Sequence, residues 1–145
     1  MTQFITSISP AASGYAGQVT RGFYDSTVET KEAAAALEFG VPVKLDATGK
    51  AAALTAGSDA VYGFTVREYG QADMSGKQTE AFVAVLRRGY IAVKVTGGTA
   101  APGGKVYLTA AGAVTAASTS TTALAGATFC GKADANGIVE IAFNI

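Results

Sequence analysis

Histidine and tryptophan are absent from the 145 residues, and cysteine occurs once. Each shortage removes a chemistry. Without histidine, the usual base beside a nucleophilic Ser, Thr or Cys is missing. The lone Cys130 excludes an intrachain disulfide, and with no imidazole to activate it in ATFCGKA it reads as a small apolar packing residue. No zinc-type ligand set and no Asp-rich calcium loop can be assembled from this inventory, so neither metal nor cofactor is expected. Charge is scarce as well: 15% of residues are Asp, Glu, Lys or Arg, against roughly 25% in typical soluble domains. Eleven basic residues balance eleven acidic ones, which argues against nucleic acid or anionic membrane as a partner. Long apolar runs are missing too. No segment is expected to span a bilayer, and the opening MTQFITSISPAASGYAG has neither the basic start nor the apolar centre of a secretory signal. Folding and assembly in the cytoplasm are the expectation.

The carboxylates that remain offer little for catalysis. Asp25 with Glu29, or Glu32 with Glu38, would be the pairs for glycoside chemistry, but they lie in sparse polar sequence and read as solvated charges. Gly97-Gly98 and Gly103-Gly104 flank Pro102 with no Lys-Ser/Thr and no helix after them, so they are turns and not a phosphate cradle.

What is present is a β pattern. Gly and Pro recur about every ten residues between short runs rich in Val, Thr and aromatics, the spacing of an all-β sandwich or barrel. Strands are predicted over 41–46, 51–55, 61–68, 81–87, 90–95, 105–109, 114–117, 127–132 and 138–143. Asp46-Ala-Thr-Gly-Lys50 and Thr109-Ala-Ala-Gly-Ala113 read as hairpin loops in which glycine supplies a positive φ. These loops align at a separation of 63 residues, as do Val43 with Val106 and Gly63 with Gly126. An internal duplication and simple recurrence of hairpin chemistry both account for that match.

The most informative stretch is AFVAVLRRGYIAVKV at 81–95. Its first half is apolar in both registers, Phe82, Ala84 and Leu86 in one and Val83 and Val85 in the other, so both faces should be covered. Beyond Arg87 and Arg88 the alternation restarts with Ile91, Val93 and Val95, which makes Gly89 a bulge or a corner. Segment 26–39 is ambiguous: Ser26 and Glu29 have capping-box spacing and the alanines favour helix, whereas Thr27, Val28 and Thr30 are β-branched and no apolar stripe forms. The reading adopted is a strand at 28–31 followed by an extended connector. Residues 1–25 carry spaced aromatics without a period, as expected for an arm lying on a neighbour or for an edge strand of its own domain. The division expected is 1–25 as arm or edge strand and 26–145 as one β domain.

Taken in order, GYAGQVTR (14–21), FGVPVKLD (39–46), VYGFTVREY (61–69), AFVAVLRRGYIAVKV, GGKVYL (103–108) and GIVEIAFNI (137–145) resemble the structural cement, or capsid decoration, proteins of tailed bacteriophages over nearly the whole chain. The resemblance implies a single-domain jelly-roll-like β-sandwich or barrel with an extended N-terminal arm and no enzymatic activity. It also implies attachment to the outer surface of the virion, with the major capsid protein as partner and the chain itself as a homo-oligomer, dimer or trimer. No small-molecule substrate is expected. The candidate contacts with the capsid or with another copy are Tyr15, Arg21, Tyr24, Arg87, Arg88 and Tyr90, because arginine forks carboxylates and stacks on rings and tyrosine anchors interfaces. The rival class is a carbohydrate-binding or adhesin module on the same scaffold, using some of the six Tyr and seven Phe as sugar platforms. Its weakness is the lack of Trp and the placement of most aromatics inside apolar strands, where core packing is the default role.

Overall fold

A computed structural model of the protein describes residues 14–67 and 81–145. Residues 1–13 of the predicted 1–25 arm and the end of the 61–68 strand at Glu68 lie outside the described residues. Among the described residues nine strands form: β1 (Thr27–Glu32), β2 (Pro42–Leu45), β3 (Ala51–Ala53), β4 (Gly63–Val66), β5 (Phe82–Lys94), β6 (Lys105–Leu108), β7 (Val114–Thr115), β8 (Thr122–Phe129) and β9 (Ile138–Phe143). Among the described residues the only helical element is a 3-10 turn at Phe23–Asp25. The chain is therefore all-β, as its punctuation predicts. All strand pairings are antiparallel, in the order β3-β2-β4-β5-β9-β8-β6-β7, with β1 beside β5, and the sheet curls into a half-barrel.

That order is a palindrome. β2 and β3 form one hairpin and β6 and β7 another; β4 and β8 flank these hairpins, and β5 and β9 meet in the middle. Phe64, Thr65 and Val66 pair with Leu86, Val85 and Ala84, and 63 positions later Ala127, Thr128 and Phe129 pair with Phe143, Ala142 and Ile141. The hairpin turns also match. Asp46 N–H donates to Lys50 O at 2.9 Å and Gly49 N–H to Asp46 O at 3.0 Å; Thr109 and Gly112 make the same bonds to Ala113 O and Thr109 O at 2.8 Å each. Gly49 and Gly112 sit at φ +83° and +87°, a backbone position that penalises any Cβ. A third turn of this design closes β9: Asp134 N–H bonds Ile138 O at 2.9 Å and Gly137 N–H bonds Asp134 O at 3.0 Å. The architecture is thus a repeated unit, and the 63-residue spacing in the sequence marks it.

β5 joins the two units. Its first half pairs with β4 and β1 and its second half with β9, so the two strands predicted at 81–87 and 90–95 are one strand of 13 residues. The corner falls where the sequence places it. Thr27 faces Arg88 and Val28 faces Leu86, which leaves Arg87 as the extra residue of a bulge. Gly89 follows at φ +138°, and a Cβ there would lie 3.0 Å from Asp25 O.

The large core lies between the two units and includes Phe64, Leu86, Ile91, Leu108, Phe129 and Ile141, with Phe64 and Phe143 edge to face at 5.1 Å. A second core of Leu37, Val43, Ala51, Val83 and Val85 lies on the other face of the first unit. Ala84 and Leu86 thus enter one core and Val83 and Val85 the other, which is the two-sided burial expected of this strand. Phe82 departs from that expectation at 57% exposure, two residues beyond Ala84, the last β5 partner of β4.

Segment 33–41 closes the second core as an extended connector, and no helix forms. Ala34 N–H donates to Ala51 O at 2.9 Å, Leu37 plugs the face, and the buried Thr65 hydroxyl donates to Glu38 O at 2.7 Å while accepting from Val41 N–H at 3.1 Å. The prediction of a strand over 127–132 is corrected: β8 begins at Thr122 and ends at Phe129. Ala and Gly at 123–127 carry little strand propensity, so their neighbours decide their state.

Candidate functional site

The six predicted contact residues fall into separate places. Arg21 lies on the outer face of the second unit, its guanidinium carbon 3.9 Å from the centre of the Tyr90 ring. Its Nη2 donates to Glu140 Oε1 at 2.7 Å, and the Thr20 hydroxyl donates to the same carboxylate. The backbone sets this up: Thr20 N–H bonds Tyr90 O at 3.1 Å, and Ala92 N–H bonds Gln18 O at 2.9 Å, so residues 17–20 run along β5 and deliver Arg21 to the Tyr90 face. Burial pushes the Glu140 carboxyl upward, but the bonds from Arg21 and Thr20 outweigh it and hold the group below its ordinary range. The bond to Glu140 in turn raises Arg21.

Arg87 lies in a second cluster, at the rim of the small core. Its guanidinium carbon stands 3.6 Å from the centre of Tyr62, and Nη1 is 3.5 Å from Glu29 Oε1. The Tyr62 hydroxyl donates to Glu29 Oε2, and Lys31 Nζ lies 3.9 Å from the same oxygen. That phenol is the main cause of a lowered Glu29 carboxyl, with Arg87 and Lys31 adding to it. Glu29 and Glu32 keep solvent exposure, as the sequence suggested, but neither stands alone: Glu29 is the hub of this cluster, and Glu32 pairs with Lys50 at 2.7 Å. The Glu29 cluster draws on β1 lying on β5, and the Glu32–Lys50 pair on the bridge that sets Ala33 beside Ala51.

Tyr24 stands on the 3-10 turn at 99% exposure, and Arg88 is exposed opposite Thr27. Tyr15, 46% exposed, faces the Arg67 guanidinium at 5.4 Å. The structure thus joins Arg21 to Tyr90, gives Arg87 partners inside its own chain, and leaves Tyr15, Tyr24 and Arg88 outward. Tyr62, Arg67 and Glu140 are the participants that the sequence reading missed. Each occupies one position of an alternating strand run, where sequence gives the face but not what lies across from it.

Cys130, read from sequence as a small apolar packing residue, is half-buried beside Glu140. Burial first, then the charge of Glu140, pushes its thiol up to about 11, which leaves it protonated at neutral pH.

The described surface offers arginines stacked on tyrosines, outward tyrosines and a twofold-repeated sheet. Sequence comparison supplies the family. Residues 6–144 match the structural cement protein family (E217 gp24/Pam3 gp6), and the chain belongs to it. It is accordingly a structural protein of the phage capsid. A solved chain from the capsid of Myoviridae phage XM1 has the same fold, with a TM-score of 0.71 and 23% identity over 99% of this chain and 98% of that one. No curated protein sequence matches the chain.

Proposed function

We propose that the protein is a non-enzymatic cement that binds the outer surface of a phage head and bridges neighbouring major capsid subunits as a homo-oligomer. The family match over residues 6–144 carries this reading. The physical basis is area. An interface of about 1,600 Å² gives useful affinity without a reactive group, and an icosahedral shell multiplies it, so that opening a joint under the pressure of packaged DNA must also strip the cement. Balanced charge supports protein over nucleic acid as the partner. Tyr24, Arg88 and Tyr15 are proposed as contact residues because they face outward; Arg21, Tyr90 and Arg87 would contribute through surfaces they already help to shape. Four of the seven Phe residues, Phe39, Phe64, Phe129 and Phe143, are buried and offer no sugar platform, which favours this reading over a carbohydrate-binding module.

The test is co-sedimentation of purified protein with empty shells that lack it. Saturable decoration at a fixed ratio to the capsid subunit is expected. Absence of binding to intact shells would refute the proposal, and binding to a glycan array would support the rival.

A further inference from the structure

β1 holds in the first unit the place that residues 90–94 of β5 hold in the second. Ala33 N–H bonds Ala81 O at 2.8 Å and Ala34 N–H bonds Ala51 O at 2.9 Å, just as Val95 N–H bonds Gly137 O at 2.9 Å and Thr96 N–H bonds Val114 O at 3.0 Å. In the second unit the outward main-chain groups of Tyr90 and Ala92 are taken up by Thr20 and Gln18. Their counterparts in the first unit are Val28 and Thr30. β1 pairs with β5 on one side, and among the described residues no strand pairs with it on the other. Directly bonded pairs alternate along an antiparallel ladder. Because Ala33 is bonded to Ala81, Lys31 and Glu29 turn their main-chain groups to β5, while Val28, Thr30 and Glu32 turn theirs outward. The side chains of Lys31 and Glu29 stay 31% and 40% exposed, and Val28 is 43% exposed on the opposite face.

We infer that β1 pairs antiparallel with β1 of a second copy about a twofold axis at Thr30, joining the two sheets edge to edge. This rests on the homo-oligomer of the cement reading and gives it a surface. Charge decides the register. An axis at Glu29 or Lys31 sets that residue against its own copy, and an axis at Val28 leaves both unmatched. An axis at Thr30 sets Glu29 against Lys31 twice, in the pairs that are not bonded directly and whose side chains come closest. Charge spacing also decides among occupants. An antiparallel mate must carry an acid followed two residues later by a base, and Glu29-Thr30-Lys31 is the only such run in the 145 residues. Residues 1–13 have no charged side chain, and Glu68, Asp73 and Glu80 are followed at that spacing by Gly70, Ser75 and Phe82. Charge on an edge strand ordinarily keeps other edges away, whereas this pattern admits its own copy. Such a contact is isologous and closes at two chains.

The experiment measures the solution mass of the full-length protein by sedimentation equilibrium for the wild type, Thr30→Pro, Lys31→Glu and Glu29→Lys, with shell decoration followed in parallel. The wild type should be a dimer. Thr30→Pro removes an outward N–H that β5 does not use and should give a folded monomer. Lys31→Glu sets acid against acid and Glu29→Lys base against base, so each alone should weaken the dimer at least about tenfold, and an equal mixture of the two should restore it. A merely structural role for either residue would not produce that restoration. Melting temperatures are measured on every variant, and should Glu29→Lys unfold through loss of its contacts with Tyr62 and Arg87, Thr30→Pro and Lys31→Glu carry the test. A wild-type monomer, or a dimer untouched by Thr30→Pro, overturns the pairing. A monomeric wild type whose shell decoration is lost in Thr30→Pro also overturns it, because the edge then belongs to a capsid strand. A dimer that responds to the variants as expected but decorates no shells supports the pairing and overturns the cement reading.

Discussion

The two halves of the palindrome share a layout and differ in what covers them. In the first unit Val83, Thr65 and Val85 point away from the large core and are buried again under the 33–41 connector. Their counterparts by strand register in the second unit are Glu140, Thr128 and Ala142, none of which is buried. Glu140 is met by Thr20 and Arg21, Thr128 is exposed, and Ala142 is half-buried. One strand arrangement therefore supports a two-sided core in one place and a one-sided sheet in the other, and side-chain chemistry follows the cover.

The sharpest way to break this comparison is a carboxylate at equivalent positions. Val85→Asp buries an unpaired charge and should cost about 4 kcal/mol or more, enough to unfold the protein. Ala142→Asp, on the half-open face near Arg21, should stay within about 1 kcal/mol. Denaturant midpoints measure both, and similar losses would end the distinction between the faces. Next in size is Leu37→Ala, which removes the plug of the small core and should cost about 2 to 4 kcal/mol. Hydrogen exchange should then rise first at β2 and β3, with β8 and β9 protected as before. A uniform rise would mean that the second core has no separate stability.

Smaller effects are expected at the corner between the units. Arg87→Ala removes the stack on Tyr62 and uncovers Glu29, for a loss of about 1 to 2 kcal/mol. Arg88→Ala should change stability by no more than about 0.5 kcal/mol while lowering capsid occupancy. Melting temperature and occupancy measured on both single variants separate the roles, and the opposite ranking would exchange them.

The smallest effect expected is on acid stability. The Asp59 carboxyl is held far below its ordinary range by Lys44 and by the N–H groups of Thr55 and Ala56, Asp46 is lowered chiefly by the Thr48 hydroxyl, and Glu29 and Glu140 are lowered as well. A depressed folded-state pKa contributes stability that is present above the unfolded value, near pH 4, and is lost as pH falls through the folded value. Melting temperature should therefore decline below about pH 4. Three of these four groups lie in the first unit or on the β1 strand beside it. Asp59→Asn should flatten the decline, and a profile unchanged by that substitution would remove the first unit's share.

Much of this was legible in the sequence. Period-two alternation and glycine spacing mark strands because side chains of a strand must alternate between faces, and a turn with positive φ selects glycine whatever surrounds it. Those local rules located the two D/T-x-x-G hairpins and their 63-residue spacing, the corner at Gly89 and the two-sided burial of Ala84 to Leu86. The order of glycine, aromatic and strand motifs was enough for the family.

Other features lay beyond the reach of local rules. The bounds of β8 depended on partners, because Ala and Gly at 123–127 are indifferent to conformation until β6 and β9 flank them. The candidate site was scattered for the same reason. Alternation announces that Arg87, Tyr62 and Glu29 each face one way, but only the pairing of β1 with β5 and the curl of the sheet bring the three together. Arg67 became notable only once Tyr15 and Phe39 lay against it. The sequence by itself determined the strand class, the turns and the family, since these rest on dihedral preferences and on patterns carried by neighbours in the chain. The tertiary structure alone decided which face is covered and which charges are matched, because contacts between residues dozens of positions apart have no signature in either residue.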